Sequence, residues 1–241
     1  MLRAEQFQPI AVRLVAFTPN HSDFKPSEIL AAILGRFADR FTGEIQSLPL
    51  PDNVPPDFPR IQLSSQDGAW AFAASPSRLT STWSLKGDGD KSVSVDQIVQ
   101  CSRDVIQEHV GQNTVQVGRL ALVLTRSCPC ASPAQVLIER FCNDDVRASD
   151  SPNAPLRHSR NFELHNHKRY EIPLNGVTIN SWVRCKTGAL QGTETPVVTV
   201  EHDINTLAEE IEDRHFDTNM IERFFEIVRR EADEILVKYF P

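Results

Sequence analysis

The chain has 241 residues, 40% hydrophobic and 24% charged, the balance of a globular protein able to bury a sizeable core. Its net charge of −7 and isoelectric point near 5.5 disfavour a nucleic-acid binder that works through overall charge. No apolar run approaches the ~20 residues of a membrane span, and the polar Met1–Gln6 start is unlike a signal peptide. Five cysteines, an odd number, fit reduced thiols better than a disulfide framework, so a cytoplasmic location is expected.

Pro9 to Phe17 carries Ile10, Val12 and Leu14 at alternate positions and reads as a first strand. A helix is expected from Ser27, with Ile29, Leu30, Ile33, Leu34, Phe37 and Phe41 on one stripe and Gly43 as its stop. After a short strand near Ile45–Leu48 and a proline-rich connection, Arg60 to Leu85 predicts a three-strand antiparallel meander. Its turns fall at Ser65-Gln66-Asp67-Gly68 and Ser75-Pro76. Ser94 with Gln97 three residues on has the spacing of a capping box and opens a second helix.

The order then recurs. Val115 to Leu124 reads as a strand, and Ser132-Pro133 starts a helix with Val136, Leu137 and Phe141 on its stripe. A second meander follows at an offset of one hundred residues, with Tyr170 answering Trp70, Ile172 answering Phe72 and Ile179 answering Leu79. Its turns are expected at His167-Lys168-Arg169 and at Asn175-Gly176. Val197 to Val200 reads as an added strand. A long helix from Asp217 to Tyr239 closes the chain, with Ile221, Phe224, Phe225, Val228, Ala232, Ile235 and Leu236 on a broad stripe.

This pattern predicts an α+β fold of tandem β-α-β(3-4)-α repeats, 1–112 and 113–241, with antiparallel sheets packed by long helices. The order is that of the TATA-binding-protein-like or helix-grip architecture; a generic α+β sandwich is the alternative.

Asp67-Gly68, Ser75-Pro76-Ser77-Arg78-Leu79 and Trp83 form a hairpin motif. With Phe7-Gln8-Pro9-Ile10 and His202-Asp203-Ile204 before the terminal helix, it resembles the hallmark of a sporadically distributed bacterial family of uncharacterised cytoplasmic proteins. The chain departs from that pattern at Arg229 and Leu236, where the family tends to carry histidine and phenylalanine. The resemblance implies no catalytic residues, and the family's scattered distribution resembles that of defence or toxin–antitoxin cargo, an association and not a mechanism.

Candidate chemistry is sparse. Cys128-Pro129-Cys130 with His165 and His167 offers zinc-type ligands, but at a spacing too short for a shared tetrahedral site. Asp88 and Asp90 sit in a glycine loop without the glutamate a calcium loop requires. No phosphate-loop, dinucleotide, nucleophile-elbow or zincin pattern occurs, so neither a cofactor nor a metal is indicated. Arg157, Arg160, Lys168 and Arg169, interleaved with His158, His165 and His167 and with Arg147 upstream, form a local basic cluster. It reads either as a contact for phosphate or an acidic partner face, or as a solvated loop and turn. Trp70, Trp83, Phe72 and Tyr170 read either as core or as the lining of a cleft under the last helix.

Three functions follow as expectations. The first is a non-enzymatic protein that binds a macromolecule, with a protein partner encoded by a neighbouring gene or a second copy of the chain. The second is a small-ligand or lipid-binding helix-grip module, and the third a hydrolase or nuclease.

Overall fold

The computed structural model describes residues 2–19, 24–49, 51, 53–86, 93–112, 115–142, 159–190 and 192–241. Nine strands form a single antiparallel sheet: β1 (Gln8–Phe17), β2 (Ile45–Ser47), β3 (Ile61–Ser64), β4 (Trp70–Ser75), β5 (Arg78–Ser84), β6 (Arg119–Pro129), β7 (Glu163–Ile172), β8 (Val177–Ala189) and β9 (Pro196–Thr206). Their order is β2-β3-β4-β5-β1-β6-β9-β8-β7. Four α-helices accompany them among the described residues: α1 (Pro26–Phe37), α2 (Val95–Gln112), α3 (Pro133–Phe141) and α4 (Thr218–Tyr239).

β1 and β6 lie side by side at the centre, Leu14 opposite Leu122. Each is flanked by the last strand of its own half, β5 beside β1 and β9 beside β6. The remaining strands then run outward in reverse sequence order.

Period-two alternation sends every second side chain to one face. Leu14, Leu122, Ile204, Leu79 and Phe72 go to that face, and the apolar stripes of α1, α2 and α4 bury them. Phe72, Phe224 and Phe225 are at most 1% exposed, so the centre of the layer between sheet and helices is filled. Each such side chain stabilises the fold by roughly 2–3 kcal/mol. A smaller cluster under α3 joins Leu137 to Val183, Cys185, Val198 and Val200.

The helix ends follow their sequence signals. Ser94 Oγ accepts from Gln97 N at 3.2 Å while Ser94 N donates to Gln97 Oε1 at 3.0 Å, the reciprocal capping box. Asp217 caps α4 by accepting from Met220 N at 2.7 Å. α1 stops at Phe37 rather than at Gly43, which instead lies against the backbone of Ser65.

The second half departs from expectation in its register. His167-Lys168-Arg169 is not a turn: β7 runs unbroken through it, and the hairpin is made at Asn175-Gly176, both at positive φ. Tyr170 therefore stands on β7, paired to β8, and does not answer Trp70; the sheet position of β4 is held in the second half by β8. The strand expected at Val197–Val200 extends over Pro196–Thr206 and occupies beside β6 the place that β5 occupies beside β1. The strand expected over 115–124 is β6, shifted to Arg119–Pro129. No helix among the described residues is long and apolar enough to cross a membrane.

Candidate functional site

With the four described helices packed on one side, the other face of the sheet is built from the alternate side chains. Cross-strand pairing makes Thr82, Arg13, Val123, Asp203, Trp182 and His167 one continuous row across six strands. A parallel row runs Thr80, Val15, Ala121, Asn205, Asn180 and Arg169. Beyond it Phe17 stands between Arg78 and Arg119. These rows mix cations, the Asp203 carboxylate, amides, hydroxyls and the rings of His167, Trp182 and Phe17, unlike the apolar rows of the helix side.

Two features stand out on this face. On β7–β8, the His167 ring stacks on Trp182 with centroids 3.9 Å apart and planes 10° from parallel. Asn180 Oδ1 lies 3.2 Å from His167 Nε2 and accepts from Arg169 Nε at 3.0 Å. His165 Nε2 is 2.7 Å from Glu163 Oε1, an exposed contact that holds the Glu163 carboxyl below its ordinary value. Arg184 pairs with Glu201 at 2.5 Å. At the centre, small residues such as Ala73 and Ala121 sink the floor into a dent of 380 Å³, rimmed by Arg13, Arg78 and Arg119.

The structure divides the basic cluster of the sequence. His165, His167 and Arg169 share the face opposite the described helices, as alternate residues of one strand must. Lys168 points the other way, into a groove of 430 Å³ between β7 and α4 where Tyr170, Ile172, Ile227 and Arg230 also lie. Arg160 is exposed just before β7, while Arg157, His158, Arg147, Asp88 and Asp90 lie outside the described residues.

Trp83 is 4% exposed and faces Trp70 across the β4–β5 pair on the helix side. Trp70 is half-buried with the Arg40 guanidinium 4.7 Å from its ring centroid. Both tryptophans are thus part of the packed layer beneath the helices, as Phe72 is.

The zinc-type constellation does not assemble. Cys128 is buried beneath α3, whereas His165 and His167 stand on the opposite face of β7 at the edge of the sheet. Among the described residues no group of three or more histidine, cysteine or acidic side chains is placed to hold a metal ion.

Sequence reasoning missed the central arginines. Arg13, Arg78 and Arg119 lie on three different strands, and only pairing β5 to β1 and β1 to β6 makes them neighbours. It also missed His202, which sits on the helix side between Leu124 and Val183, wholly buried. The alternation Val198, Val200, His202, Ile204 was the available signal. Burial first, and the charge of Arg126 second, push the His202 imidazole down to about 3. No family model matches the chain, and no curated protein is significantly similar to it.

Proposed function

We propose that the protein is a non-enzymatic binding module that engages a protein partner through the uncovered face of its sheet. One observation supports this reading above the others: the described helices all lie on one side, and the opposite face carries rings and cations in rows that no described element covers. Burying such a face needs a partner of comparable breadth, the geometry of a macromolecular interface. Trp182 and Arg184, on adjacent rows, are the residue types that anchor interfaces.

The architecture belongs to the same reading. β1-α1-β2-β3-β4-β5-α2 and β6-α3-β7-β8-β9-α4 follow one order, and each half places its first strand at the centre. We read them as two copies of one TATA-binding-protein-like unit, 1–112 and 113–241, sharing a sheet; β2 has no counterpart among the described residues. The small-ligand alternative has weaker support, because aromatic side chains fill the centre of the layer between sheet and helices, and the groove left at its β7–α4 edge is lined largely by charged residues such as Lys168, Arg230 and Glu231.

The test is co-purification from the native host with neighbouring genes intact. A complex of fixed stoichiometry is expected, lost when Trp182 and Arg184 become alanine and kept when Glu222 and Arg223 on α4 do. Absence of any complex, or loss only with the α4 variant, overturns the reading.

A further inference from the structure

The dent at the centre of the uncovered face has a chemistry of its own. Its floor is Val15, Ala121 and Ala73, and arginines stand at its rim. Arg78 and Arg119 are the cross-strand neighbours of Phe17 on its two sides. Two interstrand spacings separate their backbones, about 10 Å, with the ring between them. The Arg119 guanidinium already lies 4.6 Å from the Phe17 centroid.

Arg119 is half-buried, yet no carboxylate lies within ion-pair distance of it among the described residues. Its donors go to neutral acceptors, Thr206 O at 3.1 Å and Asn205 Oδ1 at 3.2 Å. Burial pushes the Arg119 guanidinium below its ordinary value, opposed by the more distant Asp203 and Glu209. A partly desolvated cation served only by neutral oxygens gains from an arriving anion, which restores the compensation that burial removed. Arg78 and Arg13 likewise form no ion pair with a described residue.

We propose that the Arg78–Phe17–Arg119 end of this dent binds a carboxylate of an acidic segment in the partner protein, with Arg13 four residues along β1 taking a second. The assignment rests on the uncovered face being the binding surface. Extended chains rise ~3.3 Å per residue, so Arg13 and Phe17 lie roughly 13 Å apart along β1. An extended segment with carboxylates four residues apart spans the same distance. Acidic protein is favoured over nucleic acid by charge. Asp203 shares the row of Arg13, Glu201 and Glu163 lie on the same face, and the chain carries −7 overall. A phosphate backbone carries a charge at every nucleotide and would set several of them against these carboxylates, whereas a peptide can carry carboxylates only where the arginines stand and neutral residues beside Asp203, which itself lines the dent.

Fluorescence anisotropy with labelled hexaglutamate tests this on the full chain, with oligo-dT as the second probe. Hexaglutamate should bind in low salt and weaken roughly tenfold in Arg78→Glu, the scale of one lost charge-assisted contact. Arg78→Lys should recover most of the affinity, and Arg223→Ala, on the exposed side of α4, should leave it unchanged. Arg78 donates no side-chain bond to a described residue, so these variants should fold; a thermal melt confirms that first. No hexaglutamate binding, binding indifferent to Arg78→Glu, or tighter oligo-dT binding lost with the same substitution would each overturn the proposal. A native complex that forms on the face yet survives Arg78→Glu would overturn the acidic-segment assignment while leaving the face itself as the binding surface.

Discussion

Arg126 on β6 and Asp233 on α4 form a charge-assisted hydrogen bond that ties the last helix to the sheet. Arg126 is 3% exposed, and Asp233 also accepts from Arg229, itself 2.7 Å from Asp96 at the start of α2. Two carboxylates, Asp233 and Asp96, thus join the sheet and the two longest helices through Arg126 and Arg229. Burial pushes the Arg126 guanidinium down from its ordinary value, and Asp233 pulls it back.

Removing Asp233 leaves a buried cation beside a second arginine. Asp233→Ala should destabilise the protein by about 2 kcal/mol, less than the 3–5 kcal/mol of a fully buried pair because water reaches the carboxylate. Arg126→Met should cost under about 1 kcal/mol, since it removes the charge together with its desolvation. Urea denaturation of both variants checks the order; equal losses would mean that the pair itself, not the uncompensated charge, holds the helix.

His202 makes stability depend on pH. Its folded value is about 3 and its unfolded value about 6.5, so below pH 6.5 the unfolded chain binds a proton that the folded chain refuses. The full stability is present above pH 6.5 and falls as pH drops toward 3, by up to about 1.4 kcal/mol per pH unit. Between pH 7.5 and pH 5.5 the wild type should lose roughly 1.4 kcal/mol more than His202→Leu does. Comparing the two chains cancels the other histidines and the carboxylates.

How much of this was legible depended on whether one face of an element is buried. α4 was readable to within a residue because its stripe is apolar from Ile221 to Leu236 and Asp217 caps it. β1 and β4 were readable because their helix-side positions are apolar, and β5 because Leu79 and Trp83 flank the one buried serine, Ser81. β7 was not. At the sheet edge its helix-side positions include Asn166 and Lys168, which α4 only partly covers, so the alternation dissolved into a charged run that looked like a turn. That single misreading moved the register of the second meander. The dent was illegible for a different reason, since its arginines are 65 and 41 residues apart along the chain and only strand order unites them.

The cysteines divide by depth. Cys185 and Cys128 are buried, and burial pushes both thiols up, Cys185 to about 12. Cys101, Cys130 and Cys142 are half-exposed. Because the thiolate is the reactive form, an aromatic disulfide reagent should modify three thiols in the native protein and all five only in denaturant. Fast native labelling of Cys185, read by peptide mass spectrometry, would contradict its place in the core beneath α3.

Gly118 marks where the approach to α4 crosses the start of β6. Its N donates to Phe17 O at 2.9 Å, while next to it Val117 O accepts from Phe216 N at 2.8 Å. A Cβ there would stand 1.8 Å from Ile211 O and 2.8 Å from the carbonyl carbon of Ile211. Backbone atoms cannot swing aside as a side-chain tip can, so Gly118→Ala must displace the segment that carries Ile211 and Phe216. Phe216 is 1% exposed, and lifting it opens the core that α4 seals. The cost should reach about 3 kcal/mol, the scale of a core aromatic losing its packing. Gly35→Ala is the control, because nothing lies within 4 Å of a Cβ there and α1 gains a better helix former. Thermal melts should show Gly118→Ala many degrees below wild type and Gly35→Ala at or above it; coincident melts would place Ile211 farther from β6 than it stands.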